Sequence, residues 1–207
     1  MYRNMVVMSF RLGMCAGLLC LLAPAAWPQV IQFESGGLKF QTLTKRGVTV
    51  MFAFLPSHVH DFTVIQVAVS NGAAGPYLIK PEDFLYLRAD GTSQRAWSAK
   101  DVVLLLIEKG GRNDVIRLVS AYEKAIYGNV RLRSTNGYEA RRQAALAEVT
   151  STKLKAAAAA SAIVLVQTKL SPGESTDGAV FFQLEHRPLA GHIVVRTNTD
   201  AFEFDPE

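Results

Sequence analysis

The sequence predicts a mainly β protein with an α insertion (α+β), built on an antiparallel β-sandwich of about seven to nine strands. Runs rich in β-branched and aromatic residues, separated by Gly and Pro turns, occur before residue 89 and again after residue 161. Between them, residues 98–160 show the helical period and predict an inserted block of two or three helices. Hydrophobic residues make up 49% of the chain and charged residues 19%, which is typical of a folded globular domain.

The first 26 residues predict a secretory signal peptide. Arg3 and Arg11 give a positively charged n-region, and the apolar h-region covers residues 12–22. The small residues at 23–26 provide an Ala-x-Ala cleavage site. The apolar run is shorter than the roughly 20 residues that a transmembrane helix needs. We therefore predict a secreted or periplasmic protein with no stable membrane span after cleavage. A retained N-terminal anchor is the alternative.

Both cysteines of the chain lie inside the predicted signal peptide. After cleavage nothing is left for a disulfide, a thiolate metal site or a cysteine nucleophile. Lipid attachment is disfavoured because Met14 precedes Cys15 and Leu19 precedes Cys20, where a small residue is needed.

The charge balance gives no indication of a nucleic-acid partner. The formal net charge is +4, and it falls when Arg3 and Arg11 leave with the signal peptide. The chain has no phosphate loop, dinucleotide fingerprint or zinc-protease helix, so we predict no cofactor and no enzyme activity. An enzyme with a dispersed site is a further alternative.

One β-sandwich domain is predicted over residues 30–207, opening with a short linker at 30–37. Val67 lies on the most apolar face of its strand, which we expect to be the core face. The predicted strands cover residues 38–43, 48–55, 62–70, 77–79, 84–88, 163–170, 179–184, 192–196 and 201–204.

The helical insertion is predicted over residues 98–160. Ser98 and Asp101 form a capping box, Asn113 opens a second helix, and Asn136 opens a third that runs towards the alanines at 156–160. We expect these helices to be an excursion from one end of the sandwich, so that replacing the insertion by a short linker leaves a folded β protein. The alternative is that their apolar faces cover one side of the sandwich.

Four short motifs, in this order, resemble the signature of secreted bacterial immunoglobulin-like domains of unknown function. They are Val-Ala-Val-Ser-Asn at 67–71, Asp-Gly at 90–91, Leu-Ser-Pro-Gly-Glu at 170–174 and Gly-Ala-Val-Phe-Phe at 178–182. The resemblance covers the strands and not the helical insertion. It implies an immunoglobulin-like fold and an extracytoplasmic location, and it carries over no catalytic or ligand-binding residue.

Two clusters are candidate sites. His58 and His60 would point the same way in a strand, which is half of a Zn or Cu site; the alternative is a solvated loop. A second candidate is an anion-binding patch, for which an ordinary solvated surface is the alternative. The patch consists of Arg131, Arg133, Arg141 and Arg142.

The function predicted from these observations is a non-catalytic binding or assembly module. Its partner is an unknown protein or a cell-envelope component, and the helices are expected to supply the contact surface because function in sandwiches usually lies on elaborated loops. The alternative is a metal-binding or metal-delivery protein that uses His58 and His60.

Overall fold

The computed structural model describes residues 29–56, 61–108, 112–128, 137–147, 152–184 and 191–206. Four α-helices lie in these residues: α1 (Ala99–Glu108), α2 (Arg112–Tyr127), α3 (Tyr138–Ala147) and α4 (Thr152–Ile163). The strands there are β1 (Ile31–Ser35), β2 (Leu38–Lys45), β3 (Val48–Phe54), β4 (Phe62–Asn71), β5 (Tyr77–Ile79), β6 (Phe84–Arg88), β7 (Ser93–Arg95), β8 (Thr168–Leu170), β9 (Ser175–Gln183), β10 (Gly191–Arg196) and β11 (Ala201–Glu203).

The strands form two main antiparallel sheets. The larger has the order β1-β2-β3-β4-β9 and the smaller β11-β10-β6-β7, while β5 and β8 pair separately. The helices lie in the chain between β7 and β8. A mainly antiparallel β protein with inserted helices is therefore confirmed.

The two main sheets share one buried core. Side chains of β3, β4 and β9 from the larger sheet join side chains of β6, β10 and β11 from the smaller sheet in one cluster. Phe52 of β3 meets Phe204 edge to face at 4.9 Å between ring centroids, which joins the larger sheet to the end of β11. Val67 is fully buried in this cluster, so the predicted core face of its strand is confirmed.

The helices cover β4 and β9 on the opposite face of the larger sheet. Phe62 and Val64 of β4 and Phe181 of β9 pack in a second cluster with residues of all four helices. Strand β4 is therefore buried on both faces, which explains why its sequence is a nearly continuous apolar run. The helices are not an excursion from one end, and the structure favours the alternative in which they cover one side.

Several sequence predictions differ from the structure. The predicted linker at 30–37 contains β1, because its residues pair antiparallel with β2. The predicted strand over 163–170 was too long: Ile163 ends α4, and only Thr168–Leu170 form β8. The predicted third helix corresponds to two helices, α3 and α4. In the described residues the two main sheets contain nine strands, within the predicted seven to nine, and β5 and β8 form a further pair.

Ser98 caps the first turn of α1 as predicted, but the second contact of a capping box, from the Ser98 backbone N–H to the Asp101 carboxylate, is replaced by a contact from the Ser98 hydroxyl. The backbone N–H of Asp101 donates to Ser98 Oγ at 3.2 Å, and the Ser98 hydroxyl donates to the Asp101 carboxylate at 2.6 Å. Within the described part of the chain, none of the helices has the length and hydropathy needed to cross a membrane.

Candidate functional site

A groove runs beside α1 at the point where the chain leaves the smaller sheet. It has a volume of about 680 Å³ and is lined by Glu82, Ala96, Trp97, Ser98, Asp101, Leu104, Leu105 and Glu108. We call it the α1 groove. The N-cap contact of Ser98 fixes where α1 begins and thereby which side chains of the helix face the groove.

Trp97 forms a rigid wall of the α1 groove. Its backbone N–H donates to the Phe181 carbonyl at 2.9 Å, which ties the entry of α1 to β9. Its indole packs edge to face against Phe62 at 4.6 Å between ring centroids. Leu104 lines the same groove and is 46% exposed, which is unusual for a large apolar side chain.

Beneath the helices, a buried polar network joins β9 to α2 and α3. Asp177 is 3% exposed and lies on the helix-covered face of β9, two residues before Ala179. The hydroxyl of Tyr122, fully buried in α2, donates to Asp177 Oδ2. Arg141 Nη2 of α3 lies 3.5 Å from the same carboxylate oxygen. We call these three residues the Asp177 network.

Burial controls the protonation of Tyr122. The pKa of its phenol lies well above the ordinary value of 10.0. The main cause is removal of the phenol from water, and the second is the neighbouring Asp177 carboxylate. Tyr122 is therefore a hydrogen-bond donor to Asp177 at all physiological pH values. Arg141 also lies 3.4 Å from the Ala162 carbonyl, so the network connects α3 and the end of α4 to the sheet.

A second, more exposed set of contacts holds α2 and α3 together. Arg142 Nε lies 3.2 Å from Glu123 Oε1, and the Tyr138 hydroxyl donates to the same oxygen at 2.9 Å. The Tyr138 ring packs against that of Tyr122 at 5.4 Å between centroids. Burial of the phenol, followed by Glu123, raises the pKa of Tyr138. Tyr122 and Tyr138 are thus part of the core.

The structure describes half of the predicted anion-binding patch. Arg141 and Arg142 each face a carboxylate, Asp177 and Glu123 respectively. The charge of Arg141 is therefore compensated by a carboxylate of β9, and that of Arg142 by a carboxylate of α2. Arg131 and Arg133 lie outside the described residues, so anion binding by this patch stays a prediction.

The predicted metal ligands His58 and His60 also lie outside the described residues. Among the residues that the structure describes, no group of three or more His, Cys, Asp or Glu side chains is placed to hold a metal ion. His192 lies on β10 and its Nε2 is 3.5 Å from Glu203 Oε1. Metal binding at His58 and His60 stays a prediction.

A second cleft of about 620 Å³ lies at the β1–β2 hairpin. Gln32 and Gln41 line it, and their amide nitrogens donate to the carboxylate and the backbone carbonyl of Asp205, both at 3.2 Å. Gln41 is 4% exposed, and its amide oxygen has no hydrogen-bond partner among the described residues. Pro56 lines the same cleft and directly precedes the segment that contains His58.

Sequence reasoning missed two buried polar residues, Asp177 and Gln66. Asp177 precedes a glycine, a pair that is typical of turns, but it lies inside β9, which begins at Ser175. Gln66 is fully buried on β4, opposite Ala179 of β9. The available signal was a polar residue inside an apolar strand, since such residues require partners.

Comparisons with known proteins do not identify a family for this chain. No family model and no curated protein matches it. Among solved structures it is similar to the yjhA protein of Bacillus subtilis, with 11% identity and a TM-score of 0.33, over 80% of this chain and 76% of that one. A likeness of this degree does not establish a shared fold or function.

Proposed function

We propose that the protein is a secreted or periplasmic, non-catalytic binding module that contacts its partner through the helical insertion. The observation that carries this proposal is the α1 groove, which the exposed Leu104 and the fixed indole of Trp97 both line. Rigid aromatic side chains next to exposed apolar ones are typical of the centres of protein interfaces. The hydrogen bond from the Trp97 backbone N–H to the Phe181 carbonyl supports the proposal because it fixes the start of α1 on the sheet and thereby gives the groove a defined shape.

The extracytoplasmic location rests on the predicted signal peptide, which lies outside the described residues. We expect exported protein to begin near Ala26 or Trp27 and to lack both cysteines. An intact-mass measurement tests this. A species that keeps Met1, or one that carries a diacylglycerol, would contradict it.

The strand order supports an immunoglobulin-like description of the two sheets. In immunoglobulin domains, strands A, B and E lie in one sheet and C, F and G in the other. Here β3, β4 and β9 are neighbours in the larger sheet, and β6, β10 and β11 in the smaller sheet, with β7 beside β6. We propose that β3, β4 and β9 correspond to A, B and E, and that β1 and β2 extend this sheet. The helices then occupy the place of strand D.

Photo-crosslinking tests the partner surface. A photoreactive amino acid replaces Leu104 in the α1 groove, and the matched control carries it at Leu78 of β5, which is 40% exposed. We expect a discrete crosslinked species in the producing cells from position 104 and not from position 78. Equal crosslinking from the two positions, or none from position 104, would contradict the proposal.

Metal delivery is the second candidate function, because the His-x-His spacing at 58 and 60 would put two imidazoles on one side of the chain if this segment were a strand. A ligand that binds only the folded state raises the melting temperature. Melting curves with and without Zn²⁺ or Cu²⁺ therefore test it. A metal-dependent rise that is lost in a His58→Ala, His60→Ala double variant supports metal binding, and identical curves exclude it.

A further inference from the structure

The α1 groove combines an apolar floor with an acidic rim. Asp101, Leu104, Leu105 and Glu108 follow the spacing i, i+3, i+4 and i+7, so they lie along one side of α1. Glu82 of the short 3₁₀ turn also lines the groove. Leu105 is 8% exposed and belongs to the core under the helices, which makes the floor rigid.

The rim carboxylates Glu82 and Glu108 form no ion pair with the side chains that the structure describes. Asp101 is hydrogen-bonded to Ser98. Lys100 is exposed on the same helix but does not line the groove. The whole chain carries a net charge of +4, so this acidic surface is opposite in sign to the average.

We propose that the α1 groove binds a cationic amphipathic segment of a partner protein. An apolar side chain of the segment packs between Trp97 and Leu104, and flanking Lys or Arg side chains meet Glu82 and Glu108 at the rim. Such side chains place their apolar stems on an indole while the charged end stays in water. This inference rests on the proposed function and names the chemistry of the partner.

The charge pattern favours this occupant over a second copy of the chain. Complementary charge at a rim steers association and selects the partner, whereas a rim of like charges repels it. Two copies that meet at their α1 grooves would bring Glu82 and Glu108 close to the same carboxylates of the other copy. Opposite charges on a short partner segment avoid this repulsion.

Fluorescence of Trp97 measures the binding directly. The chain has two tryptophans, so a Trp27→Phe variant makes Trp97 the only one. The probe is a short synthetic peptide of lysine, leucine and serine, titrated into this full-length variant. We expect a saturable shift of the emission that weakens as salt is added, because exposed charges are screened. A peptide with glutamate in place of lysine should give no shift.

Matched variants locate the site. Glu82→Gln with Glu108→Gln should weaken peptide binding about three- to tenfold, within the range that two exposed ion pairs supply. Glu34→Gln with Glu203→Gln removes the same charge from exposed positions on the sheets and should leave binding unchanged. Leu104→Ser should weaken binding, while Leu78→Ser, at a comparably exposed leucine, should not.

Three outcomes would overturn the inference. The first is that the two double variants bind the lysine peptide with equal affinity. The second is that the glutamate peptide binds as well as the lysine peptide. The third is an emission shift that depends on protein concentration in the absence of peptide, because this identifies a second copy of the chain as the occupant. Crosslinking from position 104 separates this failure from failure of the proposed function. If crosslinking persists while the lysine peptide does not bind, the partner surface stands and its cationic chemistry is wrong.

Discussion

Removal of one hydroxyl from the Asp177 network should cost far more stability than removal of an equivalent hydroxyl at the surface. Tyr122→Phe keeps the buried ring and deletes only the donor to Asp177. Hydrogen bonds to charged groups contribute about 1.5–3 kcal/mol. Asp177 keeps Arg141 at 3.5 Å, so the carboxylate is not left without a partner. We therefore expect Tyr122→Phe to lower the free energy of unfolding by about 2 kcal/mol.

The matched control is Tyr127→Phe on the same helix. The Tyr127 hydroxyl donates to Glu139 at 2.9 Å, but the residue is 59% exposed and water replaces the contact. Its loss should stay within about 0.5 kcal/mol. Urea titrations followed by far-UV circular dichroism measure both variants, with unchanged m-values as the check that only stability has changed. Coincident midpoints for the two variants would refute the role of the network.

The remaining predictions concern backbone packing and pH. A Cβ at Gly178 would lie 2.5 Å from the Cα of Leu165. Gly178→Ala should therefore destabilise the protein by about 1–3 kcal/mol or more. At Gly75 the added Cβ meets open space, so the control Gly75→Ala should change the urea midpoint little. At alkaline pH the unfolded chain releases phenol protons near pH 10, while Tyr122 and Tyr138 keep theirs because their folded-state pKa values are raised. The contribution of these two tyrosines to the free energy of unfolding should therefore be constant below about pH 10 and fall above it. Absorbance at 295 nm during a pH titration checks this, and early non-cooperative ionisation of all tyrosines would contradict it.

The strands could be predicted because their signals are local. Alternation of apolar residues and Gly turns placed β2, β3, β4 and β6 closely. The N-cap residue Ser98 likewise placed the start of α1. By contrast, β1 contains few residues with strand propensity, and it forms because β2 offers it a pairing edge.

The candidate site could be predicted only in part, because its parts are distant in sequence. Tyr122 and Asp177 are separated by 55 residues, and no local pattern reveals that they share a hydrogen bond. The groove depends on the helices lying across the sheet. The sequence of β4 indicates that both of its faces are covered, because Phe62 and Val64 are apolar and lie on the face opposite to the expected core face.

Replacing residues 98–160 by a short Gly/Ser linker and melting the product tests most directly whether the helices are part of the core. Phe62, Val64 and Phe181 are at most 4% exposed beneath the helices, and the deletion uncovers all three. Each would lose roughly 1.5–3 kcal/mol of burial, which together is comparable with the total stability of a domain. We therefore predict an aggregated or molten product without a cooperative thermal transition. A cooperative β melt of the deletion variant would contradict the account and show that the helices are an appended module.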